Sequence, residues 1–180
     1  MPIPEDVLLR VLAAARRAPS AGNTWGLGLV VVREPERYWD ITLPAGPRRD
    51  AFRWPGLLRA PVLVVPVVEP GAYVRRYSEP DKASSGLGSR EDAWSVPYWW
   101  VDGGAAVMSL LLAATAEGLG SLLFGQFGHE AAVAELLGIP EGHFALGTIA
   151  LGRPRAGSKP SRSALRGRPD LDGFLHDERW

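Results

Sequence analysis

The chain is 180 residues long, a length that one domain can fill while burying most of the surface its unfolded form would expose. Its 20 basic and 20 acidic residues cancel, so no global field draws it to nucleic acid or to an anionic membrane, and neither is an expected partner. Cysteine is absent, which excludes disulfides, thiolate nucleophiles and cysteine-held metals or clusters and leaves any redox chemistry to a bound cofactor.

The N-terminus, MPIPEDVLLR, lacks the apolar stretch of a secretory signal, and no apolar run reaches the roughly 20 residues that cross a bilayer. A cytoplasmic protein is the expectation. Pro4 followed by Val7, Leu8, Val11, Leu12, Ala14, Ala15 and Ala18 predicts an amphipathic helix ending near Arg17, with Pro19 as its stop. The turn-forming run PSAGNTWGLG at 19–28 leads into a strand at Leu29–Val32. Residues 35–60 carry a weaker helical pattern. PVLVVPVV at 61–68 is the strongest strand signal, and Pro66, which cannot donate to a ladder, predicts an edge position or a bulge there. Residues 69–101 read as the longest irregular region, holding YVRRYSEPDK, the small-residue run SSGLGS and the aromatic cluster PYWW. A loop of that length reads as a lid, a binding loop or a disordered segment.

The strongest helical signal is DGGAAVMSLLLAATAEGLG at 102–120. With Asp102 as N-cap and Gly118 just past the end, about 15 residues of helix, roughly 22 Å, fit between. From Ala105 to Ala114 nearly every side is apolar, which predicts a buried central helix. A tight glycine turn then feeds a short buried strand at Leu122–Phe124. His129–Leu137 reads as a short helix closed by Gly138 and Pro140, and Leu146–Leu151 as the last core strand. The arginine-rich tail ends in apolar Leu171, Phe174, Leu175 and Trp180, which need a surface to pack on.

His129, His143 and His176 are scattered, with no second ligand at metal spacing, so no metal site is expected. The chain has no GxSxG elbow, no phosphate-binding P-loop and no GxGxxG after the first strand, which argues against a hydrolase of that type, a nucleotide triphosphatase and a Rossmann dehydrogenase. No catalytic side chain is expected.

RRAPSAGN at 16–23, Asp102 with its apolar helix, EGLGSLLFG at 117–125, LGIP at 137–140 and IALGRP at 149–154 follow one another in an order and spacing that resemble the FMN-dependent nitroreductase family. YVRRYSEPDK, VPYWWVD and the tail RGRPDLDGFLHDERW at 166–180 are similar to an actinobacterial-type branch of it. The resemblance implies an α+β fold, with a central, mainly antiparallel sheet flanked by helices, and an intertwined homodimer built around the long buried helix. Residues 1–180 then form a single domain, of which 155–180 is a C-terminal extension packing on the partner subunit. FMN would sit at the subunit interface and pass hydride from NAD(P)H to a small nitroaromatic or quinone-like acceptor.

Matched position by position, Pro19, Ser20 and Asn23 correspond to the segment that touches the flavin from one subunit. Leu123, Phe124 and Gly125 correspond to the loop that approaches its ring from the other, where a glycine permits close backbone approach. Arg166 and Arg168 occupy the tail position that supplies guanidinium groups to the phosphate. Trp25, at a position where many members have glutamine, is expected with Tyr73, Tyr77, Tyr98, Trp99 and Trp100 to line the acceptor pocket or to seal the dimer. Family members usually carry an arginine-rich stretch before the first helix, where this chain begins MPIPEDVLL. Each charge-assisted phosphate contact is worth about 1.5–3 kcal/mol, and this departure motivates the alternative of a flavin-binding or sequestering protein with little or no turnover.

Overall fold

Proline sets the helix starts. Its fixed φ and missing amide suit the first turn of a helix, where no intrahelical bond is lost. In the computed structural model, which describes residues 2–155, 157 and 162–180, Pro4 precedes α1 (Glu5–Ala15) and prolines open α2 (Pro35–Thr42), α3 (Pro47–Asp50), α4 (Pro55–Leu58) and α5 (Pro70–Tyr77). Pro97 likewise precedes α6 (Tyr98–Ala116), and α7 is Glu130–Leu137. The strands are β1 (Leu27–Val32), β2 (Val62–Val68), β3 (Gly120–Phe124), β4 (Phe144–Ala145) and β5 (Thr148–Gly152).

All pairings are antiparallel, in the order β1-β2-β5-β3, with β4 beside the far end of β2. Every residue of β2 is buried, because helices cover both faces of the sheet. The strand alternation sorts them. Val62, Val64, Ile149 and Leu151 face α1 and α6, where they meet Leu8, Val11, Val107, Leu110 and Ala114. Leu63 and Ala150 face the other way, toward Tyr38 and Trp39 of α2 and Val133 of α7. The fold is therefore α+β in three layers, as expected.

Pro66 lies in this central strand and not at an edge, and the bulge alternative is the one observed. Val64 stands opposite Ile149 and Val67 opposite Ala145, so two residues of β2 face three of the partner. The Pro66 carbonyl accepts from the Leu146 amide at 2.9 Å. Gly147 makes the bulge with φ +119°, and a Cβ there would come within 2.7 Å of the Phe124 carbonyl.

Other expectations need correction. The central helix starts at Tyr98, so Asp102 is no N-cap but a buried residue one turn inside. The far end matches: Gly118 is left-handed, and the Leu119 amide reaches the Ala114 carbonyl at 2.8 Å, a Schellman closure. The helix is not covered all round in one chain, since Val101, Met108 (53% exposed) and Leu112 (59%) form an outward stripe. β3 is an edge strand, and Leu122 and Leu123 on it are exposed. Residues 69–101 are irregular only in part, for they hold α5, short 3-10 turns at Ala83–Ser85 and Glu91–Ala93, and the first turn of α6. Gly88 of SSGLGS serves packing, since a Cβ there would collide with the Ser78 backbone, while Gly86 is left-handed with open space around it.

Candidate functional site

The segment from Pro19 to Gly26 is a turn held from four sides. The buried Asp102 carboxylate accepts from the Ala21 amide at 2.7 Å and from the Tyr73 hydroxyl at 2.8 Å. Arg76 donates through Nε to the Gly22 carbonyl at 2.8 Å, while its other nitrogens grip Asp81. Ser20 Oγ accepts from the Trp25 amide, and the Gly26 carbonyl accepts from the Glu69 amide. Gly22 and Gly26 are small because rings press on them: a Cβ would meet Tyr77 at 2.7 Å and Tyr73 at 2.6 Å. Asn23 and Trp25 both have positive φ.

Beside this turn, Ala21, Tyr77, Leu87, Trp94, Ser95, Val96 and Tyr98 line a cleft of about 410 Å³. Tyr77 and Tyr98, two of the expected acceptor residues, line this cleft. Tyr73 and Trp99 do not: both are buried in the cluster behind the cleft wall, in edge-on contact with Trp94. Burial and the bond to Asp102 hold the Tyr73 phenol well above its ordinary pKa, so it stays a neutral donor. Trp100 points away to Phe144. Trp94 was missed by sequence reasoning. It touches Tyr73, Tyr77, Tyr98 and Trp99 and donates its indole N–H to the Leu87 carbonyl, yet nothing in PDKASSGLGSREDAW marks that hub.

The second expected flavin segment, Leu123–Gly125, straddles the end of the edge strand β3. Phe124 turns inward and stacks on Trp39, with ring centroids 5.8 Å apart. Next to it the Thr148 hydroxyl bridges Tyr38 and Gln126, at 2.8 and 3.1 Å, all three buried. Gln126 Oε1 and Trp39 Nε1 are buried without a partner among the described residues. Leu123 is exposed, and the ring lying against Gly125 is that of Phe127, itself 86% exposed.

Strand register places the two segments. Leu27 pairs with Val68, and Phe124 pairs with Thr148 beyond the Val64–Ile149 pair, so the start of β1 and the end of β3 point toward the same end of the sheet. They lie on opposite edges, three strand spacings or about 14 Å apart. Among the described residues, no hydrogen bond joins them within one chain.

The donors around the turn suit a flat ring with a polar edge and a phosphate. Ser20 and Asn23 sit beside an aromatic cleft, and Arg16 and Arg17 lie just before the turn, exposed and with no carboxylate at salt-bridge distance among the described residues. In the sequence those two arginines enter only as the start of the RRAPSAGN motif, with no role of their own. Arg166, the last residue of a 3-10 turn at Arg162–Arg166, and Arg168 are exposed in the tail.

The family model described as the nitroreductase family matches residues 1–153. A protein of Archaeoglobus fulgidus whose name joins NADH dehydrogenase and NAD(P)H nitroreductase is 29% identical over 184 residues, spanning 99% of this chain and 88% of its own length. An NADH dehydrogenase of Thermus thermophilus is 30% identical over 175 residues, or 89% of this chain and 82% of its own. Among solved structures, a nitroreductase family protein from Streptococcus pneumoniae superposes with a TM-score of 0.73 at 20% identity, over 99% of this chain and 91% of its own. The NADPH:FMN oxidoreductase of Vibrio harveyi, solved with NAD+, gives 0.70 at 19% identity, over 100% and 70%. At those identities the likeness to the solved structures carries the fold.

Proposed function

The chain belongs to the nitroreductase family, and from that premise we propose that it is a cytoplasmic, homodimeric oxidoreductase that uses FMN to pass electrons from NAD(P)H to a small planar acceptor of the nitroaromatic or quinone class. The observation that carries this reading is the separation of the two segments. Residues 19–25 and 123–125 lie at one end of the sheet but on opposite edges, so a site about one flavin ring wide that uses both needs a second copy of the chain. The uncovered apolar stripe of α6 and the exposed leucines of β3 support the same arrangement, since a dimer would bury them. Leu165, Leu171, Phe174 and Leu175 in the tail are also exposed, in keeping with an extension that packs on a partner.

In that dimer Pro19, Ser20 and Asn23 of one subunit and Leu123–Gly125 of the other hold the ring, and Arg16, Arg17, Arg166 and Arg168 are the guanidiniums available to its phosphate. When bound, FMN supplies the two-electron hydride chemistry that no side chain of this protein offers. The chain's own residues do the rest. Asp102 fixes the turn through the Ala21 amide, the apolar leucines exclude water, and the cleft between Tyr77 and Tyr98 orients an aromatic acceptor. Phe127 has to leave Gly125 for a ring to approach that backbone.

Three measurements on the purified protein test this: the visible spectrum after incubation with FMN, its bleaching by NADH or NADPH without oxygen, and the mass in solution. A dimer with a flavin spectrum that bleaches and returns when p-benzoquinone is added is the expected result. Flavin that binds but never bleaches points instead to sequestration without turnover. A monomer that takes up no FMN ends the proposal.

A further inference from the structure

Trp25 has properties that no fold requirement explains. Its φ is +57°, a left-handed conformation that a bulky side chain rarely adopts. It is 48% exposed, and of the seven tryptophans it is the one for which no aromatic ring contact is recorded among the described residues. The strain is kept by its neighbours. Ser20 Oγ holds the Trp25 amide, Asp102 holds Ala21, Arg76 holds Gly22, and Gly26 is pinned between the Glu69 amide and the Tyr73 ring. The backbone that carries this half-exposed ring is thus fixed, at the sheet end where the candidate site lies.

We propose that Trp25 is a preset stacking platform for an electron-poor planar ring, and so a residue that selects the ligand at the site described above. The inference rests on the proposed function, because the ring is either the flavin itself or the planar acceptor. An indole is electron-rich and its face favours such partners. Fixing the backbone beneath it before binding removes the ordering cost that a mobile turn would incur. Glycine tolerates the backbone conformation and removes the ring, phenylalanine keeps a ring, and leucine keeps bulk without one.

The experiment compares Trp25→Gly, Trp25→Leu and Trp25→Phe with the wild type in three readouts: thermal midpoint, FMN dissociation constant by fluorescence titration of flavin-free protein, and KM for p-benzoquinone at saturating FMN. The Gly variant is expected to melt no lower than wild type, since it relieves the strain. The Gly and Leu variants are expected to weaken one of the two binding constants by about three- to tenfold, while Phe stays within about twofold. A change in the FMN constant identifies the flavin as the stacked ring, and a change in KM alone identifies the acceptor. Gly and Leu variants that match wild type in both constants overturn the role of Trp25 and leave the functional reading standing. Wild-type protein that takes up no FMN overturns that reading, and the role of Trp25 falls with it.

Discussion

The turn at 19–26 and the segment at 122–127 lie at one end of the same sheet and are built in opposite ways. The first is fastened by its own chain, to a buried carboxylate, an arginine and two aromatic rings, and it holds its shape before anything binds. The second anchors Phe124 against Trp39 and Gln126 on Thr148, and leaves Leu122, Leu123 and Phe127 in water. One half of the candidate site is finished by folding, and the other half leaves an apolar surface that the proposed second copy would cover.

The largest effect should come from charging the uncovered side. Leu112→Glu places a carboxylate in the stripe that the proposed dimer buries, at several kcal/mol per site, so sedimentation should show monomers with FMN binding lost. A variant that stays dimeric would break the contrast. Removing the anchor of the fastened side comes next. Asp102→Ala leaves the Ala21 amide and the buried Tyr73 hydroxyl without an acceptor, a loss of about 2–5 kcal/mol in urea unfolding. Asp102→Asn should recover part of it. Thr148→Val strips the hydroxyl shared by Tyr38 and Gln126 and should cost about 1–3 kcal/mol; an unchanged urea midpoint would mean the buried trio is idle.

The smallest effect is alkaline. Burial raises the Tyr73 and Tyr38 hydroxyls above their ordinary value of 10.0. Their contribution is whole below about pH 10 and is lost as pH climbs toward the folded values, because the unfolded chain gives up those protons first. Urea midpoints should therefore fall above pH 10, and less so in Tyr73→Phe relative to its own value at pH 8. A flat profile would show that neither phenol is held back.

Much of the fold was legible because its signals are local. The glycine after the central helix, the αL closure at Gly138 and the wholly apolar β2 each follow from side chains within a few positions. What stayed illegible depends on contacts across the chain. Asp102 is a good N-cap by type, and only the Ala21 amide, 81 positions away, and the Tyr73 hydroxyl reveal why it is buried inside a helix. Residues 69–101 look irregular because their prolines and small residues are loop formers, while Pro70 sits where it starts a helix and Gly88 lies where a backbone crosses. In the site, type alone could not separate Tyr77 and Tyr98, on the cleft, from Tyr73 and Trp99, behind its wall.

The bond from Ala21 to Asp102 also bears on the order in which the molecule assembles. It joins a turn near the start of the chain to a helix residue 81 positions further on, so the turn cannot take its final shape until α6 has docked on α1 and the sheet. The Ala21 amide is then a clock for that docking. Its hydrogen should exchange with solvent deuterium only when the helix lifts away, and one slow amide in the peptide spanning 19–26 would report how often the centre of the protein opens.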